Sequence, residues 1–238
     1  MNEQRVTTPD AAPSPPHFGP HPGLLMSVSL ALLIASLACT AILTGGDVIP
    51  SPFGSSADVA AFYSANGGVV RLAALLQLGS AIPLGIGTAT FHARQQRLGI
   101  RVPGPTIGLF GGTAAAVLLA VSACITWTLG QPDVIAQPGI AHTLAYLSFG
   151  SGGFAHVLGL GLLVAGVAVP ALLLRLMPRA FCLLGLVVAV IAELSFLSMV
   201  VTPLQYLIPI GRFGSLVWLV AAGFLLPRTR HTQQESPS

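Results

Sequence analysis

The sequence predicts an all-α polytopic membrane protein, a bundle of six transmembrane helices with a short amphipathic helix in the first outer loop. Three observations carry that reading. Charged residues make up 7% of the 238 residues and hydrophobic ones 53%, with a mean hydropathy of +0.83, whereas a soluble globular chain carries about 25% charge. Six apolar runs are each long enough to cross about 30 Å of hydrocarbon, which takes about 20 residues. The arginines fall in alternate connections between those runs, the pattern that orients a chain in a bilayer.

Residues 1–22 contain PDAAPSPPHFGPHPG and read as a disordered tail by composition. The first span is Leu24 to Thr44. It is a membrane anchor and not a signal peptide, because a long proline-rich stretch precedes it, Arg5 is the one positive charge there, and LTGGDVIP offers no small-x-small cleavage site. Cys39 in SLAC is no lipoprotein box, since Ser36 is wrong for its first position and the apolar run continues past it. Next, SSADVAAFYSAN opens at Ser55 with Ser-x-x-Asp, a spacing that caps a helix start, and then sets Val59, Phe62 and Tyr63 on one face. That stretch predicts a short helix on the outer surface. Val69 to Phe91 is the second span and Thr106 to Leu129 the third. Pro138 to Gly153 is too short to cross and is either a second surface helix or an extension of span four through a glycine hinge. Phe154 to Leu174, Ala180 to Val201 and Leu207 to Leu226 complete the six, so that 23–227 form the transmembrane domain and 228–238 a second disordered tail. Pro83 and Pro170 sit inside spans two and four, where each removes a backbone hydrogen bond and predicts a kink.

Arg94, Arg97 and Arg101 lie between spans two and three, Arg175 and Arg179 between four and five, Arg228 and Arg230 after six, and Arg5 before one. The alternate loops 45–68, 130–153 and 202–206 hold no arginine. The expected topology therefore places both termini in the cytoplasm. Tyr63, Tyr146, Tyr206 and Trp127 fall at the outer boundary, where interfacial aromatics belong. All ten basic residues are arginine, and alanine, glycine and proline are abundant. This composition suits a GC-rich bacterial genome, hence a bacterial cytoplasmic (inner) membrane.

A net charge of +3 with arginines scattered along loops is no nucleic-acid signal. Cys39, Cys124 and Cys182 each lie within an apolar run, so they form neither a disulfide framework nor a metal site. No cofactor or metal is expected, and no catalytic residue is assigned. His-Glu-x-x-His, Gly-x-Ser-x-Gly, paired-aspartate, phosphate-loop and dinucleotide motifs are all missing from the sequence. The partners expected are the lipid bilayer and, within the bundle, room for a small-molecule ligand. Small-residue faces such as Gly108 and Gly112, Gly211 and Ser215, and Gly159, Gly161 and Gly166 let helices approach closely, which permits a homo-oligomer without predicting one. GLFG in span three and GRFG in span six, running oppositely, raise an inverted repeat.

The candidate binding cluster lies in the outer half. Glu193 in AVIAELSFLSMVV is a carboxylate inside a span, which is costly unless it has a partner or a task. Measured from a hairpin turn near Leu204, Glu193 lies about 16 Å deep and Arg212 about 12 Å at 1.5 Å per residue. Depth therefore pairs Glu193 with Arg212, with Arg71 as a more exposed member. Gln77 and His156 come to the same half, and loops bring Asp58, Asp133 and His142. The inner half of the spans offers no such group.

ADVAAFY through RLAALLQLGSAIPLGIGTA, then PALLLRLMPRAFCLLGLVVAV and PIGRFGSLVWLVAAGFLLP, together resemble a family of six-helix bacterial membrane proteins classed as a domain of unknown function. The likeness spans Asp58 to Pro227. It implies the same topology and supplies no reaction or ligand. Three functions are compatible with these residues: a non-enzymatic sensor or accessory bundle, a small-solute or proton-coupled transporter, and an intramembrane enzyme acting on lipid.

Overall fold

A computed structural model describes residues 19–47 and 49–228. Its helices are α1 (Pro22–Leu43), α2 (Ser56–Arg97), α3 (Gly104–Leu129), α4 (Pro132–Ile135), α5 (Pro138–Gly150), α6 (His156–Leu173), α7 (Arg179–Leu194) and α8 (Leu207–Leu225). A π-helical segment, Ser151–Ala155, joins α5 to α6, and 3₁₀ segments Ser195–Met199 and Thr202–Tyr206 lie between α7 and α8. No strand occurs among the described residues. Six units are long and apolar enough to cross a membrane: α1, α2, α3, 139–173, α7 with its 3₁₀ extension, and α8 with the 3₁₀ turn before it. The chain is an all-helical bundle of membrane-spanning length. The tails expected at 1–22 and 228–238 lie outside the described residues, apart from 19–22 and Arg228.

The spans close into a ring. α1 packs on α2, α2 on α3, α3 on α6, α6 on α7 and α8, and α8 returns to α1. In the span that contains α6, 67% of the most apolar window is buried, against 28–44% in the others, so this span is the central helix. Glycines allow its approach to α3. A methyl on Gly166 would lie 2.5 Å from Gly108 Cα, and one on Gly159 2.6 Å from Gly111 O. Such separations leave backbone touching backbone, the small-residue packing of membrane helices. Between α1 and α2 the contact is polar: Ser29 Oγ donates to Ser80 O at 2.9 Å, Ser80 Oγ to Ser29 O at 2.8 Å, and Ser36 Oγ to Ala73 O at 2.9 Å. In hydrocarbon these hydroxyls have no water to turn to, so the exchange satisfies both helices.

Two connections refine the sequence reading. The expected first-loop helix and the second span run together as α2, in two helical parts that meet at a kink. Its start is capped as the Ser-x-x-Asp spacing predicts, Ser55 Oγ accepting from Ala57 N at 3.1 Å and Asp58 N at 3.3 Å. The departure from helical φ/ψ comes at Asn66 (φ −120°, ψ 19°) and not at Pro83. The part before the kink is anchored because Val59 and Tyr63, 0% and 3% exposed, pack with Val70, Leu129, Ala141 and Ala145. At its other end α2 runs past Phe91 to Arg97 and buries Arg94 and Gln95. The expectation that the arginine-bearing half holds no polar group is thereby corrected. At Pro138–Gly153, of the two alternatives, the structure selects the extension of span four: Gly153 (φ −82°, ψ −109°) breaks the helix within the π segment.

Candidate functional site

We call the end of the bundle where α1 begins and α8 ends the terminal face and the opposite end the distal face. In the distal half a cavity of about 510 Å³ opens between α1, α2, α3, α5 with its π segment, and α8. Ligand pockets commonly span about 300–1,000 Å³. One wall is apolar, with Leu33 and Leu37 from α1, Phe149 from α5, and Ile208 and Phe213 from α8.

One pole of the lining is a hydroxyl and amide cluster. Ser122 Oγ donates to Ser148 O at 3.0 Å and accepts from Gln77 Nε2 at 3.2 Å, while Thr126 Oγ1 and Ser148 Oγ lie 2.8 Å apart. Gly152 makes this junction: a methyl there would lie 2.7 Å from Ser122 Cβ, so only glycine lets the π segment settle against α3.

Arg212 brings the charge. Its Nη2 donates to Gly152 O. A carbonyl beside the non-helical Gly153 has lost regular helical pairing and needs such a donor. Arg212 Nε is buried with no hydrogen-bond partner. Among the described residues the cavity lining includes no Asp, Glu, Lys or His, so this guanidinium is the single formal charge they bring to it. In a low-dielectric setting an arginine without a carboxylate beside it favours an anion or strong hydrogen-bond acceptor.

Of the residues singled out in the sequence, Gln77 and Arg212 line the cavity together. Arg71 lies elsewhere, its Nη1 donating to Gly130 O at 3.2 Å across α2 and α3. His156 is 0% exposed and points at α3, with Nδ1 2.9 Å from Ala115 O and Nε2 unpartnered. Asp58 sits in the first turn of α2, Asp133 in α4, and His142 Nε2 lies 2.9 Å from Pro52 O.

The expected Glu193–Arg212 pair is not made. Glu193 Oε1 is buried without a hydrogen-bond partner and would meet a methyl on Gly161 at 2.7 Å, so the carboxyl lies against α6. Depth was matched correctly, since a methyl on Gly211 would lie 2.9 Å from Ala192 Cα, which sets the two neighbouring residues level. The failure is one of direction. Side chains tilt toward their own helix N-terminus, and α7 and α8 are antiparallel. The carboxyl is therefore carried toward the terminal face and the guanidinium toward the distal face, to Gly152.

Sequence reasoning passed over Ser122, Thr126, Ser148, Ser36 and Thr40, all of which line the cavity. A signal existed: Ser122 with Thr126, and Ser36 with Thr40, repeat a hydroxyl at i, i+4 on apolar spans and so mark one face. Among the described residues no group of three or more His, Cys, Asp or Glu is placed to hold a metal. No family model, curated protein or solved structure matches the chain.

Proposed function

We propose that this chain is a non-enzymatic ligand-binding membrane protein, a sensor or accessory subunit, whose distal cavity holds a small ligand by an anionic or strongly accepting group. The reading includes a bacterial inner membrane with both termini cytoplasmic, as the arginine distribution favours, and kinship with the six-helix family that Asp58 to Pro227 resemble. The observation that carries it is Arg212, a guanidinium with a buried, unpartnered Nε on a cavity that has no acidic residue among the described residues of its lining. The hydroxyls of Ser122, Ser148 and Thr126 supply neutral donors and acceptors at the same pole.

The test uses the full chain in detergent, with thermal unfolding followed while acetate, longer alkanoates, sulfate and inorganic phosphate are titrated. An anion that stabilises the wild type should bind Arg212→Gln about 10- to 150-fold more weakly, the value of a charged hydrogen bond of about 1.5–3 kcal/mol. Equal stabilisation of both proteins removes the arginine from the site. A second reading, transport, is favoured by the break at Gly153, since discontinuous helices line the sites of many transporters. Flux of the bound anion into liposomes, lost in Arg212→Gln, would establish transport. Binding without flux favours the sensor.

A further inference from the structure

The terminal face carries a second recess, far from the distal cavity, of about 70 Å³ and lined by Gly19, His21, Arg94, Arg97 and Arg228. A water needs roughly 10–15 Å³ of such space, so the recess admits a group the size of a phosphate.

Its charges are positioned from several elements. Arg94 is 5% exposed, and its Nη1 donates to Gly223 O at 3.0 Å and Leu226 O at 3.2 Å. Those bonds cap the end of α8 and offset part of one positive charge through the helix dipole. Arg228 adds a second guanidinium from just beyond α8. His21 precedes α1, with its ring tilted 30° on Phe224 at a centroid distance of 4.9 Å. Its Nδ1 is buried without a partner, and no side chain caps the α1 N-terminus beside it. Among the described residues the lining contains no carboxylate. Arg94 and Arg228 bring like charges to one cleft between helices, and basic pockets of this kind hold acidic lipid headgroups.

We propose that this recess is a phosphate-binding site, with Arg94 and Arg228 as charge partners and the His21 ring as a polar contact. The phosphate belongs to the headgroup of an acidic membrane lipid or to free phosphate. The site is independent of the distal cavity.

Delipidated full chain in detergent is titrated with phosphatidylglycerol, phosphatidylcholine or inorganic phosphate, and bound molecules are counted by native mass spectrometry. Retention of one phosphatidylglycerol per chain, not matched by phosphatidylcholine, identifies a lipid headgroup. Binding of inorganic phosphate without preference for the lipid identifies the soluble anion. Either is expected to weaken about fivefold in Arg228→Gln, which removes one charge near the membrane surface from a position just beyond α8. A second readout does not depend on a variant. Burial first, then the charges of Arg94 and Arg228, hold the His21 pKa below its ordinary 6.5. A bound phosphate counters those two charges, so the imidazole titration followed by NMR moves to higher pH when the anion is added. Equal retention of phosphatidylcholine, unchanged binding in Arg228→Gln, or a His21 titration unmoved by both phosphatidylglycerol and inorganic phosphate overturns the proposal.

Discussion

Glu193 illustrates how much a single side-chain direction decides. Its Cα is level with that of a residue whose side chain could neutralise it, yet the two side chains diverge and its Oε1 stays buried and unpartnered against α6. Breaking a buried ion pair by removing one member costs about 3–5 kcal/mol. With no such pair, Glu193→Gln keeps the shape, removes the charge, and should stay within about 1 kcal/mol of the wild type. Denaturant or thermal unfolding in detergent measures this, and a loss near the upper range would restore the pair. Arg212 was legible in the sequence because an arginine inside an apolar span has few neutral explanations. The hydroxyls around it were not, since serine and threonine in membrane helices also bond to their own backbone. Thr88 Oγ1, for example, donates to Leu84 O at 2.8 Å. Which hydroxyls face a cavity depends on the neighbouring helices and not on the residue type.

Among the elements, the contact between α3 and α6 is the least tolerant. On Gly166 the atoms that an added methyl would meet are Gly108 Cα and N at 2.5 Å and Gly104 O at 2.6 Å, all backbone and unable to step aside. Gly166→Ala should therefore cost about 1–3 kcal/mol through overpacking. Gly85 is the control, because its methyl would make an ordinary 3.6 Å contact with Ala116 Cβ. Gly85→Ala should be neutral or up to about 1 kcal/mol stabilising through helix propensity. Comparing the melting transitions of the two variants separates packing from propensity, and equal effects would refute the close crossing. The spans themselves could be read from their apolar length. Their ends could not: Asn66, Gly67 and Gly68 look like a loop in sequence, whereas the chain only kinks at Asn66, with Val59 and Tyr63 before the kink buried beneath α5 and the end of α3.

At the scale of the molecule, the ring is sealed by its first and last spans. A methyl on Gly223 would lie 2.5 Å from Gly23 Cα, and Arg94 ties the same end of α8 to α2. Gly223→Leu should leave the six spans inserted, because insertion follows hydropathy span by span, while helix association is a later step. It should nevertheless abolish anion binding in the distal cavity, whose walls include both α1 and α8. Cysteine-accessibility mapping reads the insertion and the anion titration reads the cavity, and retained binding would show that closure at the terminal face does not shape the distal one.

The sealing contact joins the first and the last of the six spans. Until α8 has docked on α1, one flank of the cavity holding Arg212 does not exist, and the bundle has nowhere to keep a ligand there. Occupancy would therefore report a closed ring, and a chain stopped short of α8 is one that no ligand of that cavity can rescue.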